Sequence, residues 1–441
     1  MHLKQASLLS KKWGASQQSM KQKKDFQYKI ETILLNPIFL FLALNIIIFA
    51  LYNLNIYYFT FIPIPRINAI IIFISVFLIV LGMLSASFLF LSSKPIKFSK
   101  EIYYNNSNKY KIVFILEILA VIASFIKLIY FVKYFGLPTS LGFFGQVRVS
   151  YLTGEFTYPS ILDVFALLLW PVAITHFVLY KFFKIKVHLK HFALSVFLLL
   201  VNNMIVSGRG QIGFLVILIF LYGIYIDNVI IKKPIDKKKF LLLTALSLIY
   251  IILIALSRIG YKEILDGIVY GLNEFVLYFL GPYPATSLIL DKYLAGNIKN
   301  TFGLFTFGGL VRYSIGLFPN IKSIFNSTFG YVPIYSNFNY GFNSFTYIAY
   351  LIVDFGIVGL LIFSFIIGFL ASYFYYKLKF NFTILRLVLF VSIFVIVILY
   401  ERDIVTKWVS WWLCLLSIPM INQFVRIKKC NKQSKMEDKN E

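Results

Sequence analysis

Apolar runs of roughly 18 or more residues recur along the whole chain, divided by short Lys-rich polar stretches. Each run is long enough to cross a hydrocarbon core of about 30 Å as a helix. The pattern predicts about ten spans, near 34–52, 69–91, 111–130, 161–180, 192–206, 211–226, 240–257, 355–376, 384–400 and 407–425. The expected fold is therefore all-α, a polytopic integral membrane protein. A basic tail occupies 1–33, helices 1–7 fill 34–257, a large loop covers 258–345, helices 8–10 fill 346–425, and a second tail covers 426–441. The interrupted apolar stretch Gly267 to Leu290, containing Gly281-Pro282-Tyr283-Pro284, reads as a re-entrant or interfacial helix in that loop. The run from Phe345 to Tyr376 is 32 residues, about 48 Å as one helix, too long for an untilted crossing. A break is expected at Asp354-Phe355-Gly356.

Charge sets the orientation. The net charge is +25, and alternating the loops from a cytoplasmic start puts 30 Lys and Arg on the cytoplasmic side, 12 outside, and Lys127 within a span. This satisfies the positive-inside rule at every loop, so topology absorbs most of the basic excess and no nucleic-acid partner is implied. The basic tail lacks the small-residue cleavage site of a secretory signal, so both tails are expected in the cytoplasm. With 59% hydrophobic and only 14% charged residues, against about 25% charged in soluble domains, a soluble globule is excluded. Abundant Lys, Ile, Asn and Phe fit an AT-rich bacterial genome and a bacterial cytoplasmic membrane. Cys414 and Cys430 match no metal spacing, so no disulfide, zinc site or cofactor is expected. No glycine-rich phosphate loop occurs, which removes support for ATP drive or use of nucleotide sugars. No internal repeat is evident, which weighs slightly against transport.

The outside charges remain to be explained. Ser207-Gly208-Arg209-Gly210-Gln211 is a tight turn at the start of the sixth span. Helix amides and a guanidinium there can seat a pyrophosphate, although an Arg in an ordinary turn also fits. Arg148, in Phe144-Gly145-Gln146-Val147-Arg148, is a second phosphate ligand or an interfacial anchor for Glu155. Arg312, in Gly308-Gly309-Leu310-Val311-Arg312-Tyr313, is a third. Fourteen Phe or Tyr residues lie between Phe302 and Tyr347, Tyr313 and Tyr340 among them, suited to sugar stacking or to the membrane interface. Asp354 either caps the eighth span or faces a substrate cavity. Glu155, Asp163 and Glu274 are the candidate bases, and Glu401-Arg402-Asp403 reads as a self-paired surface triplet. Glu117 and Lys127, ten apart in the third span, should both face the bundle interior. All four histidines, His2, His176, His188 and His191, fall on the cytoplasmic side, so no outside histidine can act as a base.

Taken together, the many spans without a cytosolic domain, the Arg148 loop, the Ser-Gly-Arg-Gly turn at Arg209, the single large late loop, and Phe345-Thr346-Tyr347 leading to Asp354-Phe355-Gly356 and Gly359 resemble the Wzy-type O-antigen and capsule repeat-unit polymerases. The resemblance covers most of residues 30–425 and rests on architecture and short degenerate motifs. It implies polymerisation of undecaprenyl-pyrophosphate-linked oligosaccharides at the outer face of the cytoplasmic membrane, in a GT-C-like fold. The implied partners are the lipid-linked donor and acceptor, the bilayer, and flippase and chain-length regulator proteins. The pyrophosphate leaving group supplies the activation, so the protein must neutralise its charge, position an acceptor hydroxyl and remove a proton. Arg148, Arg209 and Arg312 would do the first without a metal. The related O-antigen ligases use a loop histidine that is missing here. A flippase or polysaccharide exporter is the main alternative, with functional charges lining a path such as Glu117 and Lys127. A membrane acyltransferase is a third class, for which no nucleophile is evident.

Overall fold

The computed structural model describes residues 31–53, 61–91, 100–104, 111–137, 143–205, 210–234, 280–311, 344–400 and 408–429, together with 245, 277, 328–329, 332–334 and 341–342. These residues are predominantly helical, and six helices are long and apolar enough to cross a membrane: Arg66–Phe88, Ile112–Phe135, Ile161–Phe183, Lys186–Ile205, Gly213–Ile230 and Tyr347–Phe380. Three shorter apolar helical stretches join them, Pro37–Asn53, Ile384–Ile398 and Val409–Phe424. Helices thus stand where nine of the predicted spans were placed, and the seventh, 240–257, lies almost wholly outside the described residues. The molecule is a multi-pass helical membrane protein.

In chain order the helices are α1 (Pro37–Asn53), α2 (Arg66–Phe88), α3 (Lys111–Phe135), α4 (Phe143–Thr153), α5 (Ile161–Leu167), α6 (Leu169–Phe183), α7 (Lys186–Ile205), α8 (Gly210–Tyr225, extended by a π turn Ile226–Ile230), α9 (Pro282–Leu294), α10 (Gly308–Val311), α11 (Tyr347–Phe380), α12 (Ile384–Ile398), α13 (Val409–Cys414) and α14 (Ser417–Phe424). Two spans are stepped, and proline accounts for both. Pro171 has no amide for the carbonyl of Leu167, where α5 ends, and Pro419 has none for Leu415, between α13 and α14.

The longest helix, α11, carries the expected break. Gly356 has φ 70° and ψ −175°, a backbone region open essentially to glycine alone. The chain is helical on both sides of the break, since Tyr347–Asp354 is already helical and buried throughout. The residues before the kink are covered by protein, so they need no lipid to favour a helix. Beyond the kink α11 packs on α2 through small residues. A Cβ at Gly82 would lie 2.2 Å from the Phe365 carbonyl, and one at Gly368 would lie 2.0 Å from that of Ile79. Such close approach of backbones is how membrane helices gain packing where lipid supplies no hydrophobic drive.

Contacts between chain-distant residues sort into two ends. At one end Thr32 bonds Asn228, Asn36 bonds the Tyr376 hydroxyl, Tyr225 donates to the Leu35 carbonyl, Lys181 pairs with Asp227, and Tyr104 meets His188. Strand β1 (Lys100–Tyr104) also pairs antiparallel there with β2 (Val425–Lys429). At the other end Ile62 bonds Ile334, Asn68 binds Ser287 and Asp291, Thr301 bonds Val353, and Tyr347 bonds Tyr400. These groupings match the alternation of loops read from the apolar runs, with residues 31–36 and 425–429 at the same, basic end.

Candidate functional site

Helix α3 organises the polar interior. Glu117, Ala120, Ser124, Lys127 and Phe131 are all buried, and their 3–4 residue spacing makes one stripe, while Phe114, Ile115, Ile118, Ile122 and Ile129 on other faces are exposed. Both charges turn inward as expected. Ten residues of helix separate them by about 15 Å, and each is met at its own end.

Lys127, 3% exposed, donates to Asp163 Oδ1 at 2.8 Å, and Tyr158 donates to the same oxygen at 2.9 Å. Burial and the adjacent Asp163 carboxylate push the Tyr158 hydroxyl pKa far up, so it stays a donor at any physiological pH. Asp163 itself keeps 38% of its side chain exposed. The pair stands on a satellite aromatic cluster of Phe131, Phe143, Val147, Phe156 and Ile205, with Tyr151 and Tyr158 packed against it. Gly154, at φ 82°, ends α4 and lets Phe156 turn back to bond the Ser150 carbonyl. Phe156 is thereby pressed into the cluster, and Glu155 on the same turn is exposed.

Asp163 is gathered with Lys127 and Tyr158. Arg148 sits on α4 next to Val147, which is buried in the aromatic cluster; the arginine's own side chain is not described. Ile205, in the same cluster, is the last described residue before the Arg209 turn. Arg209, Glu274, Arg312, Tyr313 and Tyr340 lie outside the described residues, as do Glu401, Arg402 and Asp403.

Asp354 is fully buried, and its carboxylate serves the loop that precedes its helix. It accepts from the Thr301 hydroxyl, from the Phe305 amide at 3.2 Å and from the Thr306 amide at 2.5 Å. Helix α9 of the large loop is fixed to α2 as well, because the Asn68 amide nitrogen bonds Ser287 Oγ and Asp291 Oδ1, both at 2.8 Å. Seven residues of α9, between Pro282 and Leu290, are buried against the rest of the described protein.

A second cluster gathers at the basic end. Glu117 on α3, His176 on α6, and His188 and His191 on α7 meet there, and Glu117, His176 and His191 can each offer one ligand atom to a shared cation. The apolar pattern places these histidines by side of the membrane alone. The available signal was the i, i+3 pair His188 and His191 on one helix face, with a buried Glu in a neighbouring span.

Comparison with known proteins found no match: no protein family, curated sequence or solved structure is detectably similar to this chain.

Proposed function

We propose that the chain polymerises lipid-pyrophosphate-linked oligosaccharide repeat units at the outer face of a bacterial cytoplasmic membrane, as a glycosyltransferase of GT-C-like architecture with both tails cytoplasmic. One observation carries the reading. The helix bearing Arg148, the helix leading into the Arg209 turn, and the Lys127–Asp163–Tyr158 group all converge on one aromatic cluster at the end opposite the basic loops.

In the proposed reaction an acceptor hydroxyl attacks the anomeric carbon of the donor, the bond from that carbon to the pyrophosphate oxygen breaks, and the hydroxyl proton goes to a carboxylate. Asp163 fits the last role because Lys127 and Tyr158 both hold Oδ1, which fixes the group while its partly exposed side chain presents Oδ2. Guanidinium groups at Arg148 and Arg209, with Arg312 from the large loop, would take the charge of the departing pyrophosphate. The described part of the large loop supports an enzyme over a flippase: Asp354 holds residues 301–306 and Asn68 holds α9 against the bundle. Glu117 and Lys127 favour the same choice, since each is held by partners at its own end: Lys127 by Asp163, and Glu117 beside His191.

The test is gel analysis of surface glycan from a deletion strain carrying wild type, Arg209→Ala, Arg148→Ala or Asp163→Asn, with membrane levels checked. Long polymer from wild type and single repeat units from the well-inserted variants is the expected result. Full-length polymer in the deletion strain would overturn polymerisation, and normal polymer from all three variants would overturn the site.

A further inference from the structure

We propose that Glu117, His176 and His191 bind a divalent transition-metal cation, zinc foremost, at the basic end of the bundle, with His188 and Tyr104 orienting the site. The proposal does not rest on the glycosyl-transfer reading, since this cluster lies about 15 Å along α3 from Lys127.

The donor set comes first. His191 Nδ1 lies 2.8 Å from Glu117 Oε1, and His176 Nε2 lies 3.5 Å from Glu117 Oε2. The candidate ligand atoms all fall within 4.8 Å of one another. In a tetrahedral site with zinc bonds near 2.0 Å, adjacent ligands stand roughly 3.3 Å apart. The side chains therefore need only small rotations to close on one ion. Two imidazoles and a carboxylate from three different helices, on a buried stripe, are the borderline donors that zinc and its neighbours favour over calcium or magnesium.

The hydrogen bonds around the cluster point the same way. His176 Nδ1 is 2.9 Å from His188 Nδ1, and His188 Nε2 is 3.0 Å from the Tyr104 hydroxyl. If His176 donates from Nδ1 to His188, and His188 donates from Nε2 to Tyr104, the Nε2 lone pair of His176 is aimed at Glu117. This is the outer hydrogen bonding by which metal-binding imidazoles have their tautomer fixed. It also explains why His176 Nε2 is buried without a hydrogen-bond partner 3.5 Å from a carboxylate. A lone pair facing an anion is unfavourable, and a cation between them resolves it. Glu117, His176, His188 and His191 also line a cavity of about 390 Å³, which has room for the ion and a water as fourth ligand.

Tyr104 belongs to β1, and β1 holds β2 and so the end of the described chain. Occupancy would thus tie α3, α6, α7 and the small sheet at the basic end into one unit.

The experiment uses the full-length protein in detergent, purified through a tag without histidine and stripped with a chelator. Zinc is added back and the excess dialysed away before bound zinc is counted, and Co²⁺ is added to a second stripped sample as a spectroscopic probe of ligand geometry. One zinc per chain and tetrahedral Co²⁺ absorption are expected from wild type. His191→Ala, at a side chain about one-third exposed and so tolerant of truncation, should weaken zinc at least tenfold and remove the absorption. Glu117→Gln should do the same, and His188→Asn should weaken binding by about 10–100-fold. No retained zinc in wild type would overturn the proposal, as would equal retention in His191→Ala and Glu117→Gln preparations that elute like wild type.

Discussion

Asp354 accepts the backbone amide of Thr306 at 2.5 Å, so a carboxylate two residues before the break in α11 closes a turn of the loop that leads into it. Three donors meet this buried carboxyl group and satisfy its oxygens, and the same bonds give the loop its seat.

Asp354→Ala removes the acceptor from two buried amides, which costs about 1–3 kcal/mol for each donor that loses it. The expected result is a lower thermal midpoint in detergent and faster proteolysis within residues 301–306. Asp354→Asn keeps an acceptor oxygen and should fall between the two proteins.

Gly356→Ala should be poorly tolerated for two separable reasons. The φ of 70° with extended ψ is strained for any residue with a Cβ, by about 1–3 kcal/mol, and that Cβ would lie 2.7 Å from the Tyr293 hydroxyl. Adding Tyr293→Phe removes the clash and leaves the strain. Partial recovery of thermal stability in the double variant is expected, and full recovery would show that backbone strain contributes nothing.

The α2–α11 crossing should be intolerant of a single methyl group. Gly368→Ala or Gly82→Ala places a carbon about 2 Å from a facing backbone oxygen, so the helices must separate. Overpacking of this kind costs about 1–3 kcal/mol or more. Size-exclusion profiles should broaden for both, whereas Ala at Gly136, which has open space around it, leaves only the penalty of its φ of 73°.

The Lys127–Asp163 pair should respond asymmetrically to truncation. Asp163→Ala leaves Lys127, whose side chain is 4% exposed, as an unpaired buried charge, a loss of about 3–5 kcal/mol. Lys127→Met leaves Asp163, which is 38% exposed and can be rehydrated, so it should cost less. The double variant should regain most of the loss in a thermal-melt cycle. If Asp163 is the base, Asp163→Asn makes no polymer even when its membrane level and thermal midpoint match those of Lys127→Met, which retains some; polymer from such a well-inserted Asp163→Asn would leave the pair a structural one.

Several of these features were legible in the residues. Charges within an apolar span are costly in lipid, which implies that Glu117 and Lys127 both face inward, and they do. The length of the run through Asp354-Phe355-Gly356 required a break, which falls at Gly356. The steps at Leu168 and Leu415 follow from Pro171 and Pro419, though span length alone did not mark them.

The sequence by itself determined that the chain is a helical multi-pass protein, where most of its spans lie, and which loops share an end. Those properties follow from apolar run length and the alternation of crossings, which are local quantities. Only the tertiary structure decided the partners: Lys127 with Asp163, Asp354 with the turn at 305–306, and Glu117 with histidines 59 and 74 positions further along. Lipid is as apolar as a neighbouring helix, so hydrophobicity does not say which helix a face meets. That choice is made by small residues that let backbones approach and by buried polar groups that must find one another, and both become visible only once the helices are packed.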